Sequence, residues 1–219
     1  MDMSTHTAAP SPGAPAAEGL AVVEQWLALA RSGEWPLPQV MEAASRLQAA
    51  GALDAAALLY QTWVGATPSP LRHVACFNWG AVLGELRRPK EAEAVYRMAL
   101  SVDANFAQAR LNLGHQLEHQ GREEEALAEW RTVYENPAPE SIGADPRSLV
   151  LHALNNAARL LEQLKRYDES EALMRRSLTL DPRQSDVAQH YVHIRQKQCA
   201  WPVYDTFGEV THNHLLMST

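Results

Sequence analysis

Cysteine is nearly absent from this chain of 219 residues. Cys76 and Cys199 are its two, far apart and without metal-ligand or disulfide-framework spacing. That excludes a stapled miniature scaffold and a cysteine-based zinc finger, and it fits a reducing compartment without fixing one. Long apolar runs are missing as well. No stretch approaches the roughly 18 residues of a membrane-spanning helix, and the N-terminus has neither the basic nor the apolar region of a secretory signal. A cytoplasmic protein with no membrane partner is expected. Basic clusters are scarce: Lys and Arg number 19 against 26 Asp and Glu, a formal net charge of -7. No phosphate track is offered, so no nucleic-acid partner is expected. The densest basic stretch, Arg87-Arg88-Pro89-Lys90, reads as a polar turn between helices.

Catalytic signatures are absent in the same way. There is no Gly-x-Ser-x-Gly elbow, glycine-rich phosphate loop or paired-carboxylate motif, so no catalytic residue is assigned. His115-x3-His119 puts two imidazoles on one helix face, a spacing that can bind metal. No third ligand is evident and no Glu follows the first His, so neither a metal nor a cofactor is expected in this chain. Cys76 occupies a helix-packing position and reads as a buried thiol.

What the chain does have is repetition. Cys76-x2-Trp79-Gly80-x2-Leu83 returns 34 positions later as Arg110-x2-Leu113-Gly114-x2-Leu117. A relaxed copy follows at Leu154-x2-Ala157-Ala158-x2-Leu161, and a weaker one precedes at Val40-x2-Ala43-Ala44-x2-Leu47. A second pattern travels with each copy: Ala56 then Tyr60, Ala92 then Tyr96, Ala126 then Trp130, Ser170 then Met174. Small residues on one helix facing large ones on the next are the tetratricopeptide signature. The expected fold is therefore all-α: a right-handed solenoid of about four helix pairs, with an extra N-terminal helix and a C-terminal closing helix. Such a unit cannot bury its apolar face alone, so pairs stack and the inner surface becomes available to another chain.

The expected organisation has four parts. Residues 1–17, rich in Ala, Pro, Ser and Thr, read as a disordered tail. Residues 18–36 hold one helix, ended by Glu34-Trp35-Pro36-Leu37-Pro38. The array fills 37–184, in repeats at 37–70, 73–106, 107–140 and 151–184. Between the last two the spacing stretches from 34 to 44, an insertion read as a loop over 136–148 because packed helices do not absorb extra residues. Residues 185–219 form a closing helix, with Ser185 or Asp186 as its cap, and then an aromatic segment. His212-Asn-His214 falls in the part read as unstructured.

That last segment carries a more specific likeness. His190-Tyr-Val-His-Ile-Arg-Gln-Lys-Gln-Cys-Ala-Trp-Pro-Val-Tyr204 resembles the junction of bacterial SPINDLY-type O-linked N-acetylglucosamine transferases. In that family a tetratricopeptide array leads into a nucleotide-sugar-dependent catalytic region. The resemblance implies that this is a substrate-recognition part, that a UDP-sugar belongs only to a catalytic domain lying beyond Thr219, and that Thr219 is a cut. On this reading Trp201, Tyr204 and Phe207 dock against that missing domain.

Candidate binding residues follow from repeat position. Asn78, Asn112 and Asn156 fall in register on the first helix of successive pairs, where a row of amides can hydrogen-bond the backbone of an extended peptide without reading its sequence. The resembled transferases hold their substrates with such a ladder. His115, His119 and Arg159 add to that face, with Glu118, Glu162 and Gln163 beside them; Phe77 and Leu111 read equally as pockets or as core. The mixture of charges does not suit a strongly basic clamp for acidic tails. Three readings stay open: a recognition array for a linked transferase, a free-standing adaptor for a protein or peptide, and a self-association module that buries Trp201 to Met217 in a homodimer.

Overall fold

The computed structural model describes the backbone of residues 14–137 and 145–218, with side chains from residue 21 onward. The described residues are all-α, relieved only by an isolated antiparallel bridge between Phe207 and Val210. They fall into two compact units, one ending at Leu86 and the other starting at Arg87. The boundary therefore passes through the second repeat, between its two helices.

The first unit contains α1 (Ala14–Arg31), α2 (Leu37–Ala49), α3 (Leu53–Ala66) and α4 (Arg72–Glu85). α1 begins at Ala14, inside the segment expected to be a tail, while residues 1–13 lie outside the described part. Proline sets the next boundary: Pro36 is the N-cap of α2 and Pro38 sits in its first turn, where a missing N–H is not needed. The core is the predicted apolar stripe. Val40, Ala44 and Leu47 of α2 are buried with Leu59, Tyr60 and Trp63 of α3. The Trp63 indole N–H donates to the Trp35 carbonyl at 2.6 Å, which fixes the entry into α2. Cys76 is wholly buried on α4, and burial pushes its thiol up to about 11, against a smaller opposing pull from Arg72.

The second unit contains α5 (Pro89–Val102), α6 (Ala107–His119), α7 (Glu123–Glu135), α8 (Pro146–Gln163), α9 (Tyr167–Leu180), α10 (Ser185–Lys197) and α11 (His212–Met217). Helices adjacent in sequence from α5 to α10 pack on one another, and α6 also meets α8. In the third pair the knob is Trp130, wholly buried, whose Nε1–H donates to the Leu111 carbonyl at 3.0 Å. Gly114 is demanded by that ring, because a Cβ there would stand 2.2 Å from Trp130 Nε1. The fourth pair uses Ala158 and Met174 instead, and buried Ser170 Oγ donates to the Ala158 carbonyl at 2.7 Å.

The inserted segment behaves differently from the expectation of a loop over 136–148. Its end is helical: α8 starts at Pro146, so the helix has absorbed Pro146 to Ser148 of the insertion. The cause is local. Asp145 accepts from the Arg147 and Ser148 backbone N–H groups, and Pro146 follows at the first helical position. Residues 138–144 of that insertion lie outside the described part.

Two regularities join the helices. The residue in the left-handed conformation at each inter-helix turn is Gly51, Arg87, Gly121 and Lys165, with φ between 55° and 74°. At the start of each second helix in this unit, an arginine grips the glutamate three residues on: Arg88–Glu91, Arg122–Glu125 and Arg166–Glu169. Arg122 also reaches Glu93 of α5 at 2.7 Å, and Arg166 reaches Glu124 of α7 at 2.6 Å. Each bridge thus ties one outer helix to the preceding one. Burial raises the Glu93 carboxyl, but hydrogen bonds from Gln120, Arg122 and Arg97 outweigh it and hold the group low.

The end of the chain folds back on the fourth pair. Val203, Val210 and Leu215 join Met174, Leu178, Tyr191 and Ile194 in one buried cluster. His212-Asn-His214 is not unstructured but opens α11, capped reciprocally by Thr211 and His214. Arg195 is buried and anchors this turn. It donates to the Pro202 carbonyl at 2.8 and 3.2 Å and pairs with Glu171. The cap of α10 also departs from expectation. Gln184 occupies that position, and Ser185 lies inside the helix, because the Gln184 amide turns inward to Ser177 and Asp181.

Candidate functional site

The first helices of the later pairs, α6 and α8, lie side by side and bring most of the expected face together. Asn156 Nδ2 is 3.2 Å from His115 Nε2, and Arg159 Nη2 donates to Glu118 Oε2 at 2.7 Å. With the Asn156 amide donating, the neutral imidazole carries its proton on Nδ1, the side on which Glu118 stands at 3.9 Å. The His115 ring stands edge-on to Trp130, centroids 5.3 Å apart. Burial disfavours the charged ring and holds its pKa below the usual histidine range; Glu118 opposes this, while Arg159, His119 and His152 reinforce it. Glu118 is largely covered, with 17% of its side chain exposed, whereas Arg159 reaches solvent at 42%.

The three asparagines do not share one environment. Asn112 Nδ2 donates to the Tyr96 hydroxyl at 3.2 Å, and burial lifts that phenol to about 12, with the Asn112 bond a smaller downward pull. Asn78, in the first unit, donates to the Val74 carbonyl of its own helix at 2.9 Å. All three are half-buried, and each amide Nδ2 makes a hydrogen bond within the chain. His119 is exposed at the end of α6. Leu111 is core, at 6% exposed.

The face continues past what the sequence reading named. His190 Nδ1 on α10 lies 3.0 Å from Glu162 Oε2 on α8, and Lys197 Nζ approaches Glu162 Oε1 at 4.0 Å. Between α8, α9 and α10 a pocket of about 140 Å³ opens above Ala158 and Met174, walled by Val187. His152 and His190 were missed because neither sits on a repeat signature; the helical offsets of His152 from Asn156 and of His190 from Val187 were the available signal. Among the described residues no group of three His, Cys, Asp or Glu side chains is placed to hold a metal.

The residues expected to dock elsewhere divide. Tyr204 stands edge-on to His212 with ring centroids 5.1 Å apart, and Phe207 stands edge-on to Tyr191 at 5.4 Å with the Arg175 guanidinium 4.4 Å above its ring. Both are engaged by this chain's own core. Trp201 is the one left outward, at 81% exposed, with Met217 at 87%.

The chain carries tetratricopeptide repeats: residues 77–141 match one tetratricopeptide-repeat family model and residues 151–184 match another. No curated protein matches it. Solved structures similar to it include the MamA protein, at 12% identity over 83% of this chain and 86% of that one, TM-score 0.61. Another is pilF of Pseudomonas aeruginosa, at 21% over 84% and 78%, TM-score 0.58. A third is YrrB, a TPR protein with an unusual peptide-binding site, at 19% over 81% and 87%, TM-score 0.57. At these identities the likeness is one of fold. Among the described residues no helix is long and apolar enough to cross a membrane.

Proposed function

We propose that this chain is a cytoplasmic protein-binding array and that the face of α6 and α8 holds an extended peptide. The observation that carries this is the pairing of His115 with Asn156 and of Glu118 with Arg159. These bonds preorganise a half-buried row of amide, imidazole and guanidinium groups whose remaining donors and acceptors match those of a peptide backbone. YrrB, which shares the fold, is a TPR protein with a peptide-binding site. The test uses peptides selected from a random display library against the full chain. Changing Asn112, Asn156 and Arg159 together to alanine removes contacts worth on the order of 1 kcal/mol each, so affinity falls at least about tenfold. Unchanged affinity with helicity intact overturns the reading. Asn78→Ala, measured alone, tells whether the first unit contributes.

The finer form of the reading is the recognition part of a SPINDLY-type transferase, with a UDP-sugar handled by a linked catalytic region. It is supported by the Arg195–Tyr204 resemblance and by the outward Trp201. The native gene product in its own cells then has a mass well above 24.3 kDa; a product of this mass sinks the linkage. A free-standing adaptor is the second reading, favoured by Val203, Val210 and Leu215, which give α10 a cover from within this chain. Homodimerisation through Trp201 and Met217 is read from sedimentation: Trp201→Ser makes a concentration-dependent dimer monomeric, and no dimer at any concentration ends that option.

A further inference from the structure

In the second unit the large signature residue is Tyr96 on α5, then Trp130 on α7, then Met174 on α9. The first two put a ring into the space beside the neighbouring first helix, Tyr96 meeting Asn112 and Trp130 lying against Gly114 and His115. The third puts a thin, flexible thioether there. The counterpart of His115 in the fourth pair is Arg159, which walls the gap beside Met174 while its guanidinium is held by Glu118 on α6. What remains is the pocket of about 140 Å³. A cavity of roughly 150 Å³ with an aliphatic lining holds one benzene ring, so the vacancy has the volume of the aromatic group that this chain supplies elsewhere.

The rim sorts by charge. Glu162 is hydrogen-bonded to His190 and faces Lys197 Nζ at 4.0 Å, and Arg159 is paired with Glu118. Asp186, exposed in the first turn of α10, takes no ion pair or hydrogen bond among the described residues. The uncompensated group at the mouth is thus a carboxylate.

We propose that the α8–α10 pocket is an anchor site for a phenylalanine-sized side chain of a partner peptide, with a lysine or arginine of that peptide against Asp186. The ring rests on Ala158, Met174 and Val187, and the peptide backbone runs on toward Asn156. This rests on the peptide-binding reading of the α6 and α8 face and names its specificity.

The test fills the pocket from inside. Met174→Tyr gives the fourth pair the combination already present in the first, where buried Tyr60 follows buried Ala44 at the same sequence offset, so the variant has a precedent for folding; its helicity and unfolding midpoint are checked first. Peptides are selected from a random display library on the full chain, synthesised, and titrated against wild type, Met174→Tyr, Asp186→Asn and the Asn112/Asn156/Arg159 alanine variant. Enrichment of an aromatic followed or preceded by a basic residue is expected. Met174→Tyr then lowers affinity at least about tenfold, the loss typical of an interface anchor, and Asp186→Asn lowers it a few-fold in low salt. If Met174→Tyr fails to fold, replacing the peptide's aromatic with alanine on wild-type protein reads the same contact. Selected peptides without an aromatic, or affinity unchanged by Met174→Tyr, overturn the pocket. If those peptides still depend on Asn112, Asn156 and Arg159, the general peptide-binding reading survives; if no peptide is selected, both fall.

Discussion

The third and fourth helix pairs share a backbone plan and fill it differently. They are offset by 44 residues, so Gly114 corresponds to Ala158, His115 to Arg159, Gly121 to Lys165, Ala126 to Ser170 and Trp130 to Met174. In the third pair the indole occupies the space a Cβ at 114 would need, and a histidine edge closes over it. In the fourth, Met174 replaces the indole and Arg159 pairs with Glu118 on α6, and an open pocket results. One knob residue decides whether the gap between stacked pairs is core or surface available to a partner. Solenoids meet this choice at every repeat, since each pair contacts only its neighbours.

The largest effect that sharpens this contrast is Trp130→Ala. It removes a fully buried ring and its hydrogen bond to Leu111, costing about 3–5 kcal/mol, while Met174→Ala costs about 2 kcal/mol because fewer buried atoms and no hydrogen bond are lost. Chemical denaturation of the two variants measures both. Equal costs would break the comparison, for then the indole and the thioether would be doing the same packing.

Next in size is Gly114→Ala, which forces a methyl into the indole and costs about 1–3 kcal/mol. Adding Trp130→Met to it recreates the fourth pair's combination inside the third. The double variant should lose less than the sum of the two single changes, a coupling that denaturation of all four proteins reads directly. Strict additivity would mean that Gly114 is kept for something other than the ring.

A smaller difference lies at the turns. Gly121 adopts φ 69° and Lys165 adopts φ 61°, a conformation that costs a residue with a Cβ about 1 kcal/mol. Lys165→Gly should therefore raise stability by up to about 1 kcal/mol, whereas Gly121→Lys should lower it by a similar amount. A loss on Lys165→Gly would show that the lysine side chain, not the backbone, sets that turn.

Most of the frame was legible in the sequence because helix packing repeats: the small residue at 80, 114 and 158 and the large one sixteen positions on fix the pair without a structure. The turns at Gly51 and Gly121 were readable from glycine and the one at Arg87 from its polar run, but the left-handed backbone of Arg87 and Lys165 was not, since nothing in either side chain announces it. The lengthening of α8 was hidden by Pro137, Pro139 and Pro146 together, which read as a loop until Asp145 and Pro146 are seen to start a helix. The candidate face was half legible. Register gave Asn112, His115, Asn156 and Arg159, but a single helix pattern cannot show which groups spend themselves on each other, and the Asn156–His115 and Arg159–Glu118 bonds join residues 41 positions apart. The arginine that grips Glu91, Glu125 and Glu169 in turn was a repeat signal that went unread.

The smallest effect is a difference in pH response between the two pairs. The fourth pair carries Arg159 where the third carries His115, and histidine is the side chain whose charge changes near neutral pH. Burial, aided by Arg159, His119 and His152 against Glu118, lowers the folded pKa of His115 below the roughly 6.5 of an unfolded histidine. Above that pH neither state carries the proton and the group adds no pH dependence. As pH falls through and below about 6.5 the unfolded chain takes up the proton more readily, so the stability present at neutral pH is lost. The site loses a contact in the same step, because a protonated imidazole has no lone pair with which to accept from Asn156 Nδ2. His115→Gln keeps a polar partner for Asn156 and cannot titrate. Denaturation midpoints of wild type and His115→Gln at pH 7.5 and 5.5 should therefore show the wild type losing more on acidification. Equal losses would place the pH sensitivity elsewhere.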